Sequence, residues 1–429
     1  MFVRRIAVVG TGYVGLTTGA CLASLGHRVV CADVDADKVK RLDAGEVDIL
    51  EPGLAELVRE GLAAARLSFV VSVTEAVRGA EVVFLCLPTP MGVAGVADLT
   101  AVESVVEEIR DLLAPDSVLV NKSTVPVGTA ARTAELLRRP DIAVVSNPEF
   151  LREGSAVRDF LHPDRIVVGC DVKDAAERVA TLYARLGAAT VLTDAASAEL
   201  VKYAANCFLA MKLSYVNALA ELCDRVGADV GAVTEGMGYD RRIGQAFLSP
   251  GPGWGGSCLP KDTAAMLQLA DAVDFEFRLV RATIDTNTRQ RVRMVEKIRL
   301  AVTGRRDGSL SHARLTLLGL TFKAGTDDLR DSPALAVAAL LRQAGADVVG
   351  HDPALSENVD GIELIADPYQ AATGADALVI LTEWPEFRTL DWPRIATLLR
   401  EPIVVDTRNL LDPQTLRRAG IIYTSLGRP

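Results

Sequence analysis

Cys258 lies in the run Gly255-Gly256-Ser257-Cys258-Leu259-Pro260-Lys261-Asp262, after a glycine-dense loop and before residues that read as a helix start. Pro260 suits the first helical position, where a missing N–H costs nothing, and Asp262 suits the first turn, where a carboxylate complements the dipole. A sulfur there faces outward-pointing backbone N–H groups, which favour a thiolate and hence a covalent step. Far upstream, Gly10-Thr11-Gly12-Tyr13-Val14-Gly15 follows an apolar strand and opens a helical pattern, an arrangement that offers backbone N–H groups to a dinucleotide pyrophosphate. Asp33 ends the next strand, eighteen residues beyond Gly15, close to the roughly 20 expected for an acid that hydrogen-bonds the adenosine ribose. Val34 follows it, with no arginine there to receive a 2′-phosphate, so NAD is favoured over NADP. Lys38 reads either as a distal cofactor contact or as a solvated helix charge. Few enzyme classes need both a hydride acceptor and a nucleophilic sulfur.

Other residues could serve such chemistry. In Asn147-Pro148-Glu149-Phe150-Leu151-Arg152-Glu153-Gly154, Asn147 reads as the cap of a short helix begun by Pro148, with Glu149 and Glu153 on one face. They follow a strand end, which is where open parallel sheets bind ligands. Lys202 and Asn206, four apart in a helical stretch, turn a cation and an amide the same way. Both pairs also read as solvated helix faces. Arg408, in Asp406-Thr407-Arg408-Asn409, offers a guanidinium fork for phosphate or is an ordinary strand-end charge.

The elements that must position these groups follow from periodicity. Apolar runs at Ile6–Val9, Arg28–Ala32, Leu67–Ser72, Val82–Leu87, Val118–Asn121 and Ile142–Ser146 alternate with helical patterns, which predicts a parallel sheet with crossover helices. Ile166–Gly169 and Thr190–Leu192, around a helix Ala175–Leu186, extend that domain. One long helical period covers Ser197–Arg225, and helical reading continues in pieces to Val302. Gly304–Ser309 is the best linker candidate. A second α/β domain follows, with strands at Arg314–Leu318, Asp347–Gly350, Leu378–Leu381 and Ile403–Asp406 and a helix at Pro333–Ala344. The expected division is 1–196, 197–303 and 310–429.

Composition narrows the class. A chain of 429 residues exceeds what one core usually supports. Hydrophobic residues make up 49% of it, yet no stretch approaches the roughly 20 uninterrupted apolar residues of a membrane span. Met1-Phe2-Val3-Arg4-Arg5 runs straight into a strand, which leaves no room for a signal peptide, so a cytoplasmic location is expected. A net charge of −10 argues against a nucleic-acid surface, though not against a local basic pocket for a small anion. Cys21, Cys31, Cys86, Cys170, Cys207 and Cys223 read as reduced core thiols, and neither they nor the four histidines have metal-ligand spacing, so no metal is expected.

The runs Gly10 to Gly15, Lys122-Ser123-Thr124-Val125-Pro126-Val127-Gly128, Asn147 to Gly154, His162-Pro163-Asp164-Arg165-Ile166-Val167-Val168-Gly169, Glu199-Leu200-Val201-Lys202-Tyr203-Ala204-Ala205-Asn206, Gly251 to Asp262 and Gly319-Leu320-Thr321-Phe322-Lys323 span all three expected domains. Together they resemble the nucleotide-sugar dehydrogenases of the UDP-glucose/GDP-mannose dehydrogenase family. The resemblance implies two Rossmann-like domains joined by a long central helix, with NAD in the first and the uridine nucleotide in the second. It implies four-electron oxidation of UDP-glucose to UDP-glucuronate through a Cys258 thiohemiacetal and thioester, releasing two NADH. GDP-mannose or a UDP-N-acetylhexosamine is the alternative substrate. A silent NAD-binding sensor is a third reading, which the joint presence of Cys258, Lys202, Asn206 and Asp262 disfavours.

The resemblance also distributes roles. Lys202 and Asn206 would stabilise the oxyanion, Asp262 with Thr124 would orient a water acting as base, and Glu149 and Glu153 would serve acid/base chemistry at hydrolysis. A charged Asp262 opposes the Cys258 thiolate, while the helix terminus and Lys202 favour it. Pro88, Thr89, Ser123, Thr124, Glu153, Lys261 and Arg330 would join the glycine loop around NAD. Glu149, Phe150, Leu151, Phe247, Ser249, Gly251, Gly255, Phe322, Lys323 and Arg408 would line the substrate, Lys323 and Arg408 on its diphosphate. Ser249 stands where the family carries a larger amide or amine. Arg242 would reach the substrate across a homodimer interface. Val93-Ala94-Gly95-Val96 lacks the Asp-Gly turn expected before Ala97-Asp98-Leu99.

Overall fold

The structure, a computed structural model, describes residues 3–90, 92 and 97–428, so the Val93–Val96 stretch lies outside the described residues. The chain divides into two compact units, Met1–Ala205 and Asn206–Pro429. It passes from one to the other within the 32-residue helix Ala195–Val226, which contains the expected Ser197–Arg225.

The first unit is built on an eight-stranded sheet of order β3-β2-β1-β4-β5-β6-β7-β8. Its strands are β1 Arg5–Val9, β2 Arg28–Ala32, β3 Leu67–Val70, β4 Val82–Leu85, β5 Val118–Asn121, β6 Ala143–Ser146, β7 Arg165–Gly169 and β8 Ala189–Thr193. All neighbours run parallel except β6 and β7, which meet antiparallel at Ser146 and Gly169. Every residue of β4 and β5 is buried, as expected of parallel strands covered on both faces, and this is why they read as unbroken apolar runs. Alternation still sorts the core. Ile6 and Val8 enter one apolar cluster while Ala7 and Val9 enter another, because successive side chains leave opposite faces.

The order reverses between β1 and β4, and a crevice opens there at the carboxyl ends. Gly10 has φ +94°, and a Cβ on it would come within 2.5 Å of the Cys86 carbonyl oxygen beyond β4. A Cβ on Gly15 would lie 1.9 Å from the Gly10 oxygen. The helix Tyr13–Ser24 can pack this close to the strands only because those side chains are missing.

The second unit begins with helices Val230–Gly238, Leu259–Asp271 and Arg278–Thr303, the last closed by Gly304 in the left-handed conformation inside the expected linker. A six-stranded, all-parallel sheet follows in the order β11-β10-β9-β12-β13-β14. Its strands are β9 Arg314–Leu318, β10 Asp347–His351, β11 Glu363–Leu364, β12 Ala377–Ile380, β13 Ile403–Asp406 and β14 Ile422–Ser425. The expected strands are β9, β10, β12 and β13. The two edge strands were not expected, since β11 has two residues and β14 is mostly half-exposed, so neither carries an apolar run. The expected α/β class with two Rossmann-like parallel sheets is observed.

Candidate active site

In the first unit, Gly12 caps the helix Tyr13–Ser24 without a side-chain hydrogen bond, and a Cβ there would meet nothing within 4 Å. The leading N–H groups of the helix are therefore open to an anion, as a dinucleotide pyrophosphate requires. Asp33, just past β2, accepts from the Thr11 backbone N at 2.9 Å and its hydroxyl at 2.5 Å. Burial alone would raise the Asp33 carboxyl, but these bonds, the Asp35 N–H and Lys38 outweigh it and hold the carboxyl below its usual value. Lys38 lies 3.5 Å from Asp33, so it serves the acid itself. Val34 is 85% exposed and leaves the ribose edge open. The loop, the helix start and the carboxylate fit NAD.

Tyr13 does more than line this loop. Its hydroxyl donates to Glu51 and accepts from the Gly154 N–H at 2.8 Å, which ties the loop to the segment carrying Glu153. Burial first, then Glu51 and Glu153, pushes this hydroxyl far above its ordinary pKa. Beyond β4 and β5, the Thr89 hydroxyl donates to the Thr124 carbonyl at 2.9 Å, and the Ser123 hydroxyl to the Leu87 carbonyl at 2.7 Å. Pro88 is exposed between them.

The short helix expected at Asn147 is absent: residues 147–152 are irregular, and the next helix is Ala156–Leu161. Asn147 is not a cap because its side chain is used elsewhere. Its oxygen accepts from Lys122 at 3.1 Å and from the Tyr183 hydroxyl at 2.6 Å, and its nitrogen donates to the Val167 carbonyl at 2.7 Å. Glu149 is buried, accepts from the Leu151 N–H at 2.6 Å and pairs with Lys202 at 3.0 Å. Lys202 also donates to the Glu149 carbonyl at 2.7 Å. Burial alone would raise the Glu149 carboxyl. Lys202, the Leu151 N–H and Lys122 reverse that and keep it below its ordinary value. Phe150 meets two cations, with the Arg165 guanidinium 3.5 Å and the Lys202 ammonium 5.4 Å from its ring centroid. Glu199 accepts from the Gly128 and Ala130 N–H groups and from Ser146, which fixes the long helix to the loop after β5.

In the second unit, Cys258 is the N-cap of the helix Leu259–Asp271, with proline in its first turn and Asp262 acidic in the same turn, as expected. The residue is half-buried, and its sulfur lies 3.6 Å from the Ser257 hydroxyl. Asp262 is 0% exposed. One of its oxygens accepts from the Asn206 amide at 2.5 Å and the other pairs with Lys261 at 2.6 Å. Cys207 makes the contrast, being buried and pushed up to about 12, first by burial and then by Asp262. Of the other expected core thiols, Cys21, Cys31, Cys86 and Cys223 are buried, while Cys170 is half-exposed.

The glycine-dense loop is pinned by polar side chains of two long helices. Asn217 accepts from the Gly251 N–H at 2.8 Å, Gln290 donates to the Gly251 carbonyl at 2.7 Å, and Asn287 both accepts from and donates to the Trp254 backbone. Ser214 receives the Trp254 indole N–H at 2.9 Å. Sequence reasoning missed these four residues. The available signal was two polar pairs three apart, Ser214 with Asn217 and Asn287 with Gln290, in otherwise core-facing helix positions.

A Cβ on Gly255 would lie 1.9 Å from the Asp331 oxygen, and one on Gly256, at φ +82°, 2.7 Å from the Phe322 ring, so this loop lies flat on the segment after β9. Arg408 donates to the Leu381 and Phe322 carbonyls, pairs with Glu383 at 3.0 Å and approaches Gly251. Lys323 lies 5.6 Å from the Phe322 ring centroid. Gly251, Gly255, Phe322, Lys323 and Arg408 are thereby gathered. Phe247 holds a left-handed φ of +62°, and Ser249 is exposed. Arg242, with a side chain 89% exposed, forks onto Asp240, and Arg330 forks onto Asp328. Among the described residues no group of His, Cys, Asp and Glu could hold a metal ion, and no helix is long and apolar enough to cross a membrane.

Comparison with known proteins agrees with this geometry. Residues 4–187 match the NAD binding domain of the UDP-glucose/GDP-mannose dehydrogenase family, residues 196–289 its central domain and residues 316–413 its UDP binding domain. The UDP-glucose 6-dehydrogenase of Rhizobium meliloti is 45% identical over 439 residues, covering 99% of this chain and 100% of its own. The UDP-glucose 6-dehydrogenase TuaD of Bacillus subtilis is 42% identical over 436 residues, covering 99% and 94%. The solved structure of a UDP-glucose dehydrogenase from the archaeon Pyrobaculum islandicum superposes with a TM-score of 0.89 at 37% identity, covering 100% of this chain and 98% of that one. The chain belongs to the UDP-glucose/GDP-mannose dehydrogenase family, and it is an NAD-dependent oxidoreductase with a nucleotide-sugar substrate.

Proposed function

We propose that the chain oxidises UDP-glucose to UDP-glucuronate in two hydride transfers joined by a covalent step on Cys258. The observation that carries this reading is a half-buried cysteine at the start of a helix whose first turn holds a fully buried, hydrogen-bonded carboxylate. NAD, which the glycine loop and Asp33 would hold, would supply the hydride acceptor, a fresh NAD for each of the two oxidations. In the first, a water oriented by Asp262 and Thr124 takes the alcohol proton. The Cys258 thiolate then forms a C–S bond to the aldehyde carbon, and Lys202 and Asn206 stabilise the oxyanion. The second oxidation turns the thiohemiacetal into a thioester. Water, with Glu149 and Glu153 handling the protons, breaks the C–S bond and releases the carboxylate and the free thiolate.

Residues 1–196 serve NAD, residues 197–303 carry the cysteine loop, and residues 310–429 hold the nucleotide, with Lys323 and Arg408 on the diphosphate. A second copy of the chain completes the enzyme. Phe208, Tyr215 and Leu222 follow one another at seven-residue spacing on one helix and are 57%, 55% and 53% exposed, a coiled-coil-like stripe suited to a copy of itself. Arg242 would reach the partner's substrate. The test is stoichiometry. Purified protein given UDP-glucose and NAD should form two NADH per sugar, whereas one NADH per sugar, or turnover with GDP-mannose only, contradicts the reading.

A further inference from the structure

Lys122, the first residue after β5, carries a buried charge that none of the roles above uses. Its ammonium donates to the Asn147 oxygen at 3.1 Å and lies 5.6 Å from the centroid of the Tyr183 ring. The Tyr183 hydroxyl donates to the same oxygen, and the Asn147 nitrogen is held by Val167, so Asn147 cannot swing to replace a lost partner. Two residues further on, Glu149 faces two ammonium groups: Lys202 in direct contact, and Lys122 through charge alone. The charged and titratable groups that face Lys122 are Glu149, the buried thiol of Cys86, Lys202 and the Tyr183 phenol. Lys122 also directly precedes Ser123 and Thr124, at the mouth of the cofactor crevice. One buried cation thus links the end of β5 to the segment that bears Glu149.

We infer that Lys122 is a positioning residue. Through Asn147 and the charge on Glu149, its ammonium holds the Glu149–Lys202 pair in working geometry, so that turnover depends on Lys122 keeping its proton. This rests on the reading that Glu149 and Lys202 serve the reaction. Energetics support a labile proton. Burial, and to a lesser degree Lys202, draws Lys122 down to about 8, and only Glu149 and Cys86 act the other way. A proton held this weakly is lost in an accessible pH range; the neutral amine still donates to Asn147 but without its charge, so that bond weakens and Glu149 is left with one cation fewer.

Two variants and one spectrum test the inference, with the kinetics run on whichever nucleotide sugar the wild type oxidises. Failure with UDP-glucose would then count against the substrate reading and not against Lys122. Lys122→Met keeps the volume and removes the charge. Its kcat near neutral pH should fall roughly ten- to hundredfold, the scale of a small misplacement of a reacting group, with KM for NAD within about twofold. Wild-type kcat should fall as pH rises through about 8, and Lys122→Arg, whose charge persists, should lack that fall. In 13C-lysine-labelled wild type, one buried lysine should titrate near 8. The inference is overturned by unchanged kcat in Lys122→Met, by a loss carried by KM for NAD alone, or by a wild-type alkaline fall in Lys122→Arg. Should neither variant fold, the spectrum decides, and no lysine titrating near 8 overturns it.

Discussion

The Asn206 amide donates to Asp262 across 2.5 Å, and Asp262 has no exposed surface. A carboxylate in that position is tolerable only because Lys261 takes its second oxygen. The arrangement bears on the competition over the Cys258 thiolate. Asp262, in the first turn of the helix that Cys258 caps, is half of a hydrogen-bonded ion pair, and a neutralised neighbour opposes a thiolate less than a bare charge would.

Asp262→Ala should therefore fail in two ways. It strands the buried Asn206 amide, at a cost of about 1–3 kcal/mol. It also removes the group proposed to orient the base, lowering kcat by roughly 10²–10⁴. Denaturant titration and steady-state kinetics on one preparation separate the two effects, and wild-type kcat in this variant contradicts the proposed role.

Lys202→Met should destabilise the fold by about 3–5 kcal/mol, because it leaves Glu149 buried without its partner. Glu149 gives a pH signature as well. Its folded carboxyl lies below the ordinary value of 4.5, so its stabilisation is complete above that pH and is lost as pH falls through the folded value. The stability gap between wild type and Glu149→Gln should be widest near neutrality and should narrow on acidification. A gap that stays constant with pH contradicts the ion-pair account.

Tyr215→Glu places a charge in the exposed stripe shared with Phe208 and Leu222. Sedimentation equilibrium should report half the wild-type mass, and KM for the nucleotide sugar should rise if Arg242 acts across that interface. An unchanged mass places the contact elsewhere.

Much of this architecture was legible in the residues. β4 and β5 announce themselves because strands buried on both faces read as unbroken apolar runs, and Cys258 because glycine, proline and aspartate around it carry local conformational preferences. The helix expected at Asn147 failed for a tertiary reason. The capping side chain is claimed by Lys122 and Tyr183, the latter thirty-six residues away, and no local pattern reveals such a partner. Glu51 was invisible for the same reason, since its only signal is contact with Tyr13 and with Val157, far along the chain. The clamps on the glycine loop, Asn217, Asn287 and Gln290, look like ordinary helix polars until the loop is laid against them.

The central claim is that one sulfur carries the sugar between its two oxidations. Cys258→Ala tests it most directly, with NAD binding followed by fluorescence and UDP-glucuronate by chromatography. The account expects cofactor binding as in wild type and no uronate above background. Wild-type uronate from that variant would contradict it.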